Sequence, residues 1–148
     1  MEIPNIKFIK THPDAKLPKS NNSEPGVGDT GLDLYSVSSI VIPAKGSNVV
    51  QVGLTVGYIT PGFWFRIEPR SGLGFKSGIQ PHLGIIDNAY RGDLGVKLYN
   101  LSDNDHQVSV GDRIAQICLY TLIQPHCEFT DTVYESNRGA KGFGSSGN

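Results

Sequence analysis

The sequence predicts an all-β protein, a sandwich, jelly roll or barrel. Three observations carry that prediction. Short stretches of alternating apolar and polar residues dominate the chain, and almost no segment has a helical period. Those stretches are rich in Val, Ile, Thr and aromatics, which suit a pleated, half-buried surface. Clusters of Gly, Pro, Asn and Asp separate them at short intervals, as turns do.

In chain order the expected strands begin with NIKFI at 5–9, GLDLYSV at 31–37, SIVIPA at 39–44 and NVVQVGLTVGYI at 48–59. They continue with GFWFRIE at 62–68, LGVKLYN at 94–100, HQVSV at 106–110, RIAQICLYTLI at 113–123 and EFTDTVYE at 128–135. Between the first two, residues 14–29 have the Pro/Ser/Asn/Gly composition of a loop. One or two helical turns are expected at SGLGFKS, 71–77. Residues 83–100 read as strand, turn, strand, a β-hairpin with NAYRGD near its tip.

A chain of 148 residues without internal repeats is most simply one domain with a real core. Its net charge of -1 offers no bulk field for a polyanion, so nucleic acid is not an expected partner and any anion site must be built locally. No apolar run approaches the ~20 residues of a membrane span, and MEIPNIKFIK lacks the apolar stretch of a signal peptide. A cytoplasmic location and free thiols at Cys118 and Cys127 are expected. His12, His82, His106 and His126 are scattered without metal-ligand spacing, and no G-x-S-x-G elbow supports a serine triad.

Four glycine-rich polar stretches interrupt the strands. In GDTGLDLYS, Asp33 stands between two leucines, sharing a face with Gly31 and Tyr35. It reads as a solvated strand carboxylate or as an acid that orients metal-bound water. In EPRSGLGFKSG, backbone amides, the Ser71 hydroxyl and the Arg70 fork can converge on an oxyanion; a plain turn fits equally. In LGIIDNAYRGD, Asp87 follows two isoleucines, where desolvation would raise its pKa toward that of a general base; a turn-forming Asp is the alternative. Tyr90 is surface filler or a ligand platform. In VGDRIAQICL, Gln116 needs amide partners if buried, and Arg113 can pair with Asp112 or with a carboxylate at an interface.

Taken together and in order, these stretches resemble the five motifs of the dUTPase family. They stand as TGLDL at 30–34, PRSG at 69–72, GIIDNAYRG at 84–92, GDRIAQ at 111–116 and RGAKGFGSSG at 138–147. Thr30 replaces the usual alanine. The link GIQPHLG from Gly78 to Gly84 is about two residues shorter than in many bacterial members, and carries His82.

The resemblance implies a jelly-roll-like β-sandwich at 1–137, with 138–148 as a mobile C-terminal lid of the same domain. It implies hydrolysis of dUTP to dUMP and pyrophosphate with Mg²⁺, which limits uracil in DNA and supplies dUMP for thymidylate synthesis. Carried over by position, Asp87 would activate the attacking water. Arg70, Ser71, Gly72 and Gln116 would hold phosphate oxygens. Gly84, Ile85, Ile86 and Gly95 would frame the uracil with backbone groups, and Tyr90 would pack on the deoxyribose. Asp33 would approach the metal through water, the triphosphate supplying its direct ligands. From the tail, Arg138 would reach the γ-phosphate and Phe143 would stack on the uracil, with Gly144, Ser145 and Ser146 offering amides and hydroxyls. A homotrimer with shared active sites is also implied. The related dCTP deaminases need a glutamate near the base, and none stands between Gly84 and Asn100. A regulatory or scaffold protein of the same fold would favour a lost tail motif or an altered Asp87, and both are intact.

Overall fold

The computed structural model describes residues 2–144. Ten strands and one short helix form a β-sandwich. One four-stranded sheet runs in the order β1 (Ile6–Lys10), β4 (Ser47–Ile59), β8 (Asp93–Asn100), β6 (Ile79–Pro81). The other runs β2 (Leu32–Tyr35), β10 (Arg113–Thr121), β5 (Phe63–Glu68), β7 (Gly84–Ile86). A ribbon of β3 (Ile40–Ile42) and β9 (His106–Val108) stands beside them, and every pairing is antiparallel.

The alternation seen in the sequence places one side of each strand inward. Leu94, Val96 and Leu98 of β8 are buried, while the residues between them face outward. From the opposite sheet Phe65, Ile67 and Ile117 fill the same core. Phe8 of β1 meets Phe65 of β5 edge to face at 6.5 Å, joining the two layers. Strand β4 shifts register twice, against β8 and against β1, and its inward side changes only at the second, between Val56 and Ile59. The first shift contains Gly53 at φ 69°; a Cβ there would stand 2.7 Å from that of His12.

The helix α1 (Ser71–Ser77) forms where expected and ends on Gly78 at φ 66°. Two expectations fail. Residues 128–135 form no strand: Phe129, Val133 and Tyr134 are exposed, because no unpaired neighbour strand of the same chain meets them. The expected hairpin at 83–100 is not a paired ribbon. Its first arm, β7, pairs with β5 in one sheet, and its second, β8, pairs with β4 and β6 in the other. The short link supplies the reason. Residues 79–81 become β6, His82 N–H donates to Lys97 O at 2.7 Å, and the chain then crosses between layers to reach β7.

Candidate functional site

The first half of the candidate site is built at the end of β5. Glu68 ends the strand, Pro69 stops the ladder, and Arg70, still extended, leads into α1. Here Arg70, Ser71, Gly72, Gln116, Asp33 and Gly31 line one polar cleft of about 450 Å³. The structure therefore gathers the first, second and fourth glycine-rich stretches.

Asp33 is not a solvated carboxylate. It is 4% exposed. Its Oδ1 accepts from Arg70 Nε at 2.9 Å, and its Oδ2 accepts from Asn21 Nδ2 at 3.1 Å and lies 3.7 Å from Arg113. An acid expected beside metal-bound water thus has both oxygens committed to holding side chains. Gln116 donates through Nε2 to Pro69 O at 2.8 Å, which ties β10 to the corner before Arg70. Arg113 pairs with Asp33 and Asn21 rather than with Asp112, whose Oδ2 accepts from Ser109 N–H.

Glu68, not singled out from the sequence, and Cys118, expected there only as a free thiol, also line this cleft. Glu68 accepts from Arg66 Nε at 3.1 Å and from the Tyr120 hydroxyl at 2.9 Å. The Cys118 thiol, and after it the Arg66 guanidinium, holds the Glu68 carboxyl below its usual range despite some burial. Burial, then the bond to Glu68, pushes the Cys118 thiol up to about 12. Register explains the cluster: Arg66 faces Cys118 and Glu68 faces Gln116 across the β5–β10 ladder.

The second half lies elsewhere. Because β7 runs antiparallel to β5 and Ile86 faces Phe65, Asp87 sits toward the far end of β5. Phe65 and Arg70 are five residues apart, on the order of 16 Å of extended chain. Within one chain, Asp87 and Arg70 do not meet. Asp87 is exposed, so the desolvation expected from Ile85 and Ile86 is not supplied by its own chain. Its carbonyl accepts from Tyr90 N–H at 3.0 Å, the turn geometry held as the alternative. Asn88, not singled out before, pins that turn: its Nδ2 reaches the carbonyls of Phe63 at 2.8 Å, Thr60 at 3.0 Å and Ile59 at 3.3 Å. Partners 25 to 29 residues away left no local signal.

Gly84, Ile85 and Ile86 form the edge strand of their sheet, so their outward backbone groups have no neighbouring strand. On β8, the partner β6 covers only Leu98–Asn100, which leaves Gly95 uncovered on that side. The split of the expected hairpin is what leaves both sets of backbone groups open. The Tyr90 hydroxyl donates to Asp93 O at 2.6 Å, and its ring lies where a Gly92 Cβ would come within 2.5 Å of Cζ. Tyr90 remains 39% exposed, a fixed ring with open surface. In the tail, Arg138 donates to the carbonyls of Lys141 at 2.8 Å and Gly142 at 3.0 Å. Phe143 is fully exposed and Gly144 has φ 78°. Ser145 and Ser146 lie outside the described residues.

Comparison with known proteins decides the family. A dUTPase family profile matches residues 16–147. The chain belongs to the dUTPase family. It is 38% identical over 145 residues to the tomato deoxyuridine 5'-triphosphate nucleotidohydrolase, covering 98% of this chain and 83% of that protein. It is 42% identical to the Yarrowia lipolytica counterpart, covering 97% and 89%. Against the mitochondrial Dictyostelium discoideum counterpart it is 43% identical, over 81% of this chain and 66% of that longer protein. Among solved structures, a point mutant of the Staphylococcus bacteriophage 80alpha dUTPase with dUpNHpp superposes with a TM-score of 0.83 at 24% identity, over 97% of this chain and 99% of that one. A point mutant of the phage phi11 dUTPase, described with a structural Mg(II) ion, gives 0.76 at 21% identity, over 88% and 99%. Both likenesses speak to the fold. No helix among the described residues is long and apolar enough to cross a membrane.

Proposed function

We propose that this protein is a dUTP pyrophosphatase that completes each active site by combining copies of itself. The observation that carries the reading is the cleft at the end of β5, where Arg70, Ser71 and Gln116 line one wall system within a family-wide match. A triphosphate brings several negative charges that a chain of net charge -1 must neutralise locally. The Arg70 fork, the Ser71 hydroxyl and the Gly72 amide would take phosphate oxygens, with the spare hydrogen of the Gln116 amide beside them.

Water attacks the α-phosphorus in line, and Asp87 takes its proton. A bond forms from the water oxygen to phosphorus as the bond to the bridging oxygen breaks, giving dUMP and pyrophosphate. Such transfers demand positioning and charge stabilisation more than a strong nucleophile. Because Asp87 and Arg70 are at opposite ends of β5, a second copy supplies Asp87 to the cleft of the first. A closed homotrimer would provide three such junctions, and the exposed side chains Phe129, Val133 and Tyr134 are suited to cross onto a neighbour. Packing by that neighbour and by substrate would supply the desolvation that Asp87 lacks in one chain.

The open backbone groups of Gly84–Ile86 and Gly95 would read the uracil. A donor toward O4 and an acceptor toward N3–H reject cytosine, whose pattern is reversed, by leaving polar groups unpaired. The wall excludes a thymine methyl by overlap, and the Tyr90 ring leaves no room for a ribose 2'-hydroxyl. The tail would then close: Arg138 on the γ-phosphate, Phe143 on the base, and Gly144, Ser145 and Ser146 on phosphate oxygens.

Mg²⁺ fits this site as a passenger of the substrate. Among the described residues no group of three or more His, Cys, Asp or Glu could hold a metal ion. Asp33, already bound to Arg70, would meet the ion only through water. When bound, Mg²⁺ neutralises phosphate charge that Arg70 does not reach.

The test is pyrophosphate release from dUTP, dTTP, dCTP and UTP, each with and without Mg²⁺. Turnover of dUTP alone, increased by Mg²⁺, is expected; equal or absent turnover across the four contradicts the reading, and ammonia release from dCTP would replace it with deamination.

A further inference from the structure

Gly31 stands at the entry to β2, buried, under the side chain of Gln116. A Cβ placed on it would come within 2.5 Å of Gln116 Cδ and 3.1 Å of Cγ, and closer still to Oε1. Gly31 is not among the residues with positive φ. The position therefore requires empty space rather than a left-handed backbone. Gln116 occupies that space, and from there its Nε2 reaches Pro69 O at 2.8 Å. Two residues after Gly31, Asp33 takes Arg70 Nε at 2.9 Å. One short stretch thus fixes the Pro69–Arg70 corner by two independent bonds, one through Gln116 and one through Asp33.

We propose that Gly31 is a positioning residue for the hydrolysis: the missing side chain is the seat of Gln116, and Gln116 so seated holds the corner that presents Arg70 and Ser71. The inference rests on the reading of Gln116 as a phosphate ligand. A methyl at position 31 meets the far end of a flexible side chain, not backbone. The fold survives, Gln116 swings out, and both its bond to Pro69 and its aim at the substrate are lost.

A double-mutant cycle tests this on the full chain, with dUTP hydrolysis and thermal unfolding measured for every variant. Gly31→Ala is expected to fold and to lose about tenfold or more in kcat/KM, as small misplacements at a reacting centre do. Gln116→Ala vacates the seat, so Gly31→Ala should cost nothing further in that background. A merely structural role would instead add its own loss of activity and stability to the double variant. Parent-like hydrolysis by Gly31→Ala, or a loss undiminished when Gln116 is already Ala, overturns the inference. Should Gly31→Ala fail to fold, the double variant still decides: it folds and matches Gln116→Ala if the clash is the cause. A normal rate for Gln116→Ala alone overturns the separate reading of Gln116 as a phosphate ligand, so the two failures are distinguishable.

Discussion

Asp87 and Asn88 are neighbours in one turn with different work. Asp87 is exposed and offers its carboxylate outward, while Asn88 binds three backbone carbonyls inward. Asp87→Asn should abolish turnover and leave dUTP binding largely intact by calorimetry; near-normal kcat would remove Asp87 as the base. Asn88→Ala strips the turn of those bonds and should cost about 1–3 kcal/mol in unfolding free energy. Asp33→Ala leaves Arg70 and Arg113 without their shared carboxylate. Asp33 is buried while both arginines reach solvent, so the loss falls short of that for a fully buried pair; unfolding at lower denaturant together with weaker dUTP binding is expected. Motif order singles out Asp87, Arg70 and Gln116, and the structure brings the last two to one cleft. Asn88, Glu68 and the clearance over Gly31 were not legible in the sequence, since each depends on partners brought close only by strand register.

Strand identity was legible almost throughout, and strand partnership was not. Alternation marks a strand but does not say which edge it joins, so two adjacent arms were read as one hairpin. Their assignment to different sheets is the feature that leaves backbone groups of Gly84–Ile86 and Gly95 open. The 128–135 segment failed in the opposite sense: its pattern suits a strand, yet it leaves the sandwich exposed and pairs with none of its edges.

The β5–β10 ladder carries a pH dependence of its own. Glu68 titrates below its ordinary 4.5 in the folded protein. The unfolded chain then binds the proton first, so this contribution to stability is present above pH 4.5 and lost as pH falls below it. Glu68→Gln should flatten the acid limb of a stability profile; an unchanged limb would locate the effect elsewhere. Cys118 has the reverse sign in pH, since its thiol is pushed from 9.0 up to about 12. Its contribution is present below pH 9.0 and lost as pH rises toward 12. In a Cys127→Ser variant, the remaining thiol should resist labelling at about pH 8 until the protein is unfolded. Rapid labelling of the native variant would contradict the burial of Cys118.

At the scale of the whole molecule, one chain holds all five motifs but does not assemble them. The cleft with Arg70 and the turn with Asp87 lie apart, in keeping with the shared active sites that the family resemblance implies. Removing residues 138–148 should leave the core sandwich folded, because none of the tail's described residues, 138–144, is buried, and should reduce hydrolysis drastically. Full activity of the truncated chain would return the tail to a plain chain end. The most direct test of shared sites mixes two inactive variants, Asp87→Asn and Arg70→Gln, unfolds them together and refolds the mixture. If one copy supplies Asp87 and another Arg70, roughly a quarter of the sites regain both residues and dUTP hydrolysis returns to that level. A mixture as inactive as its two components would contradict the account, placing both residues of each working site in a single chain.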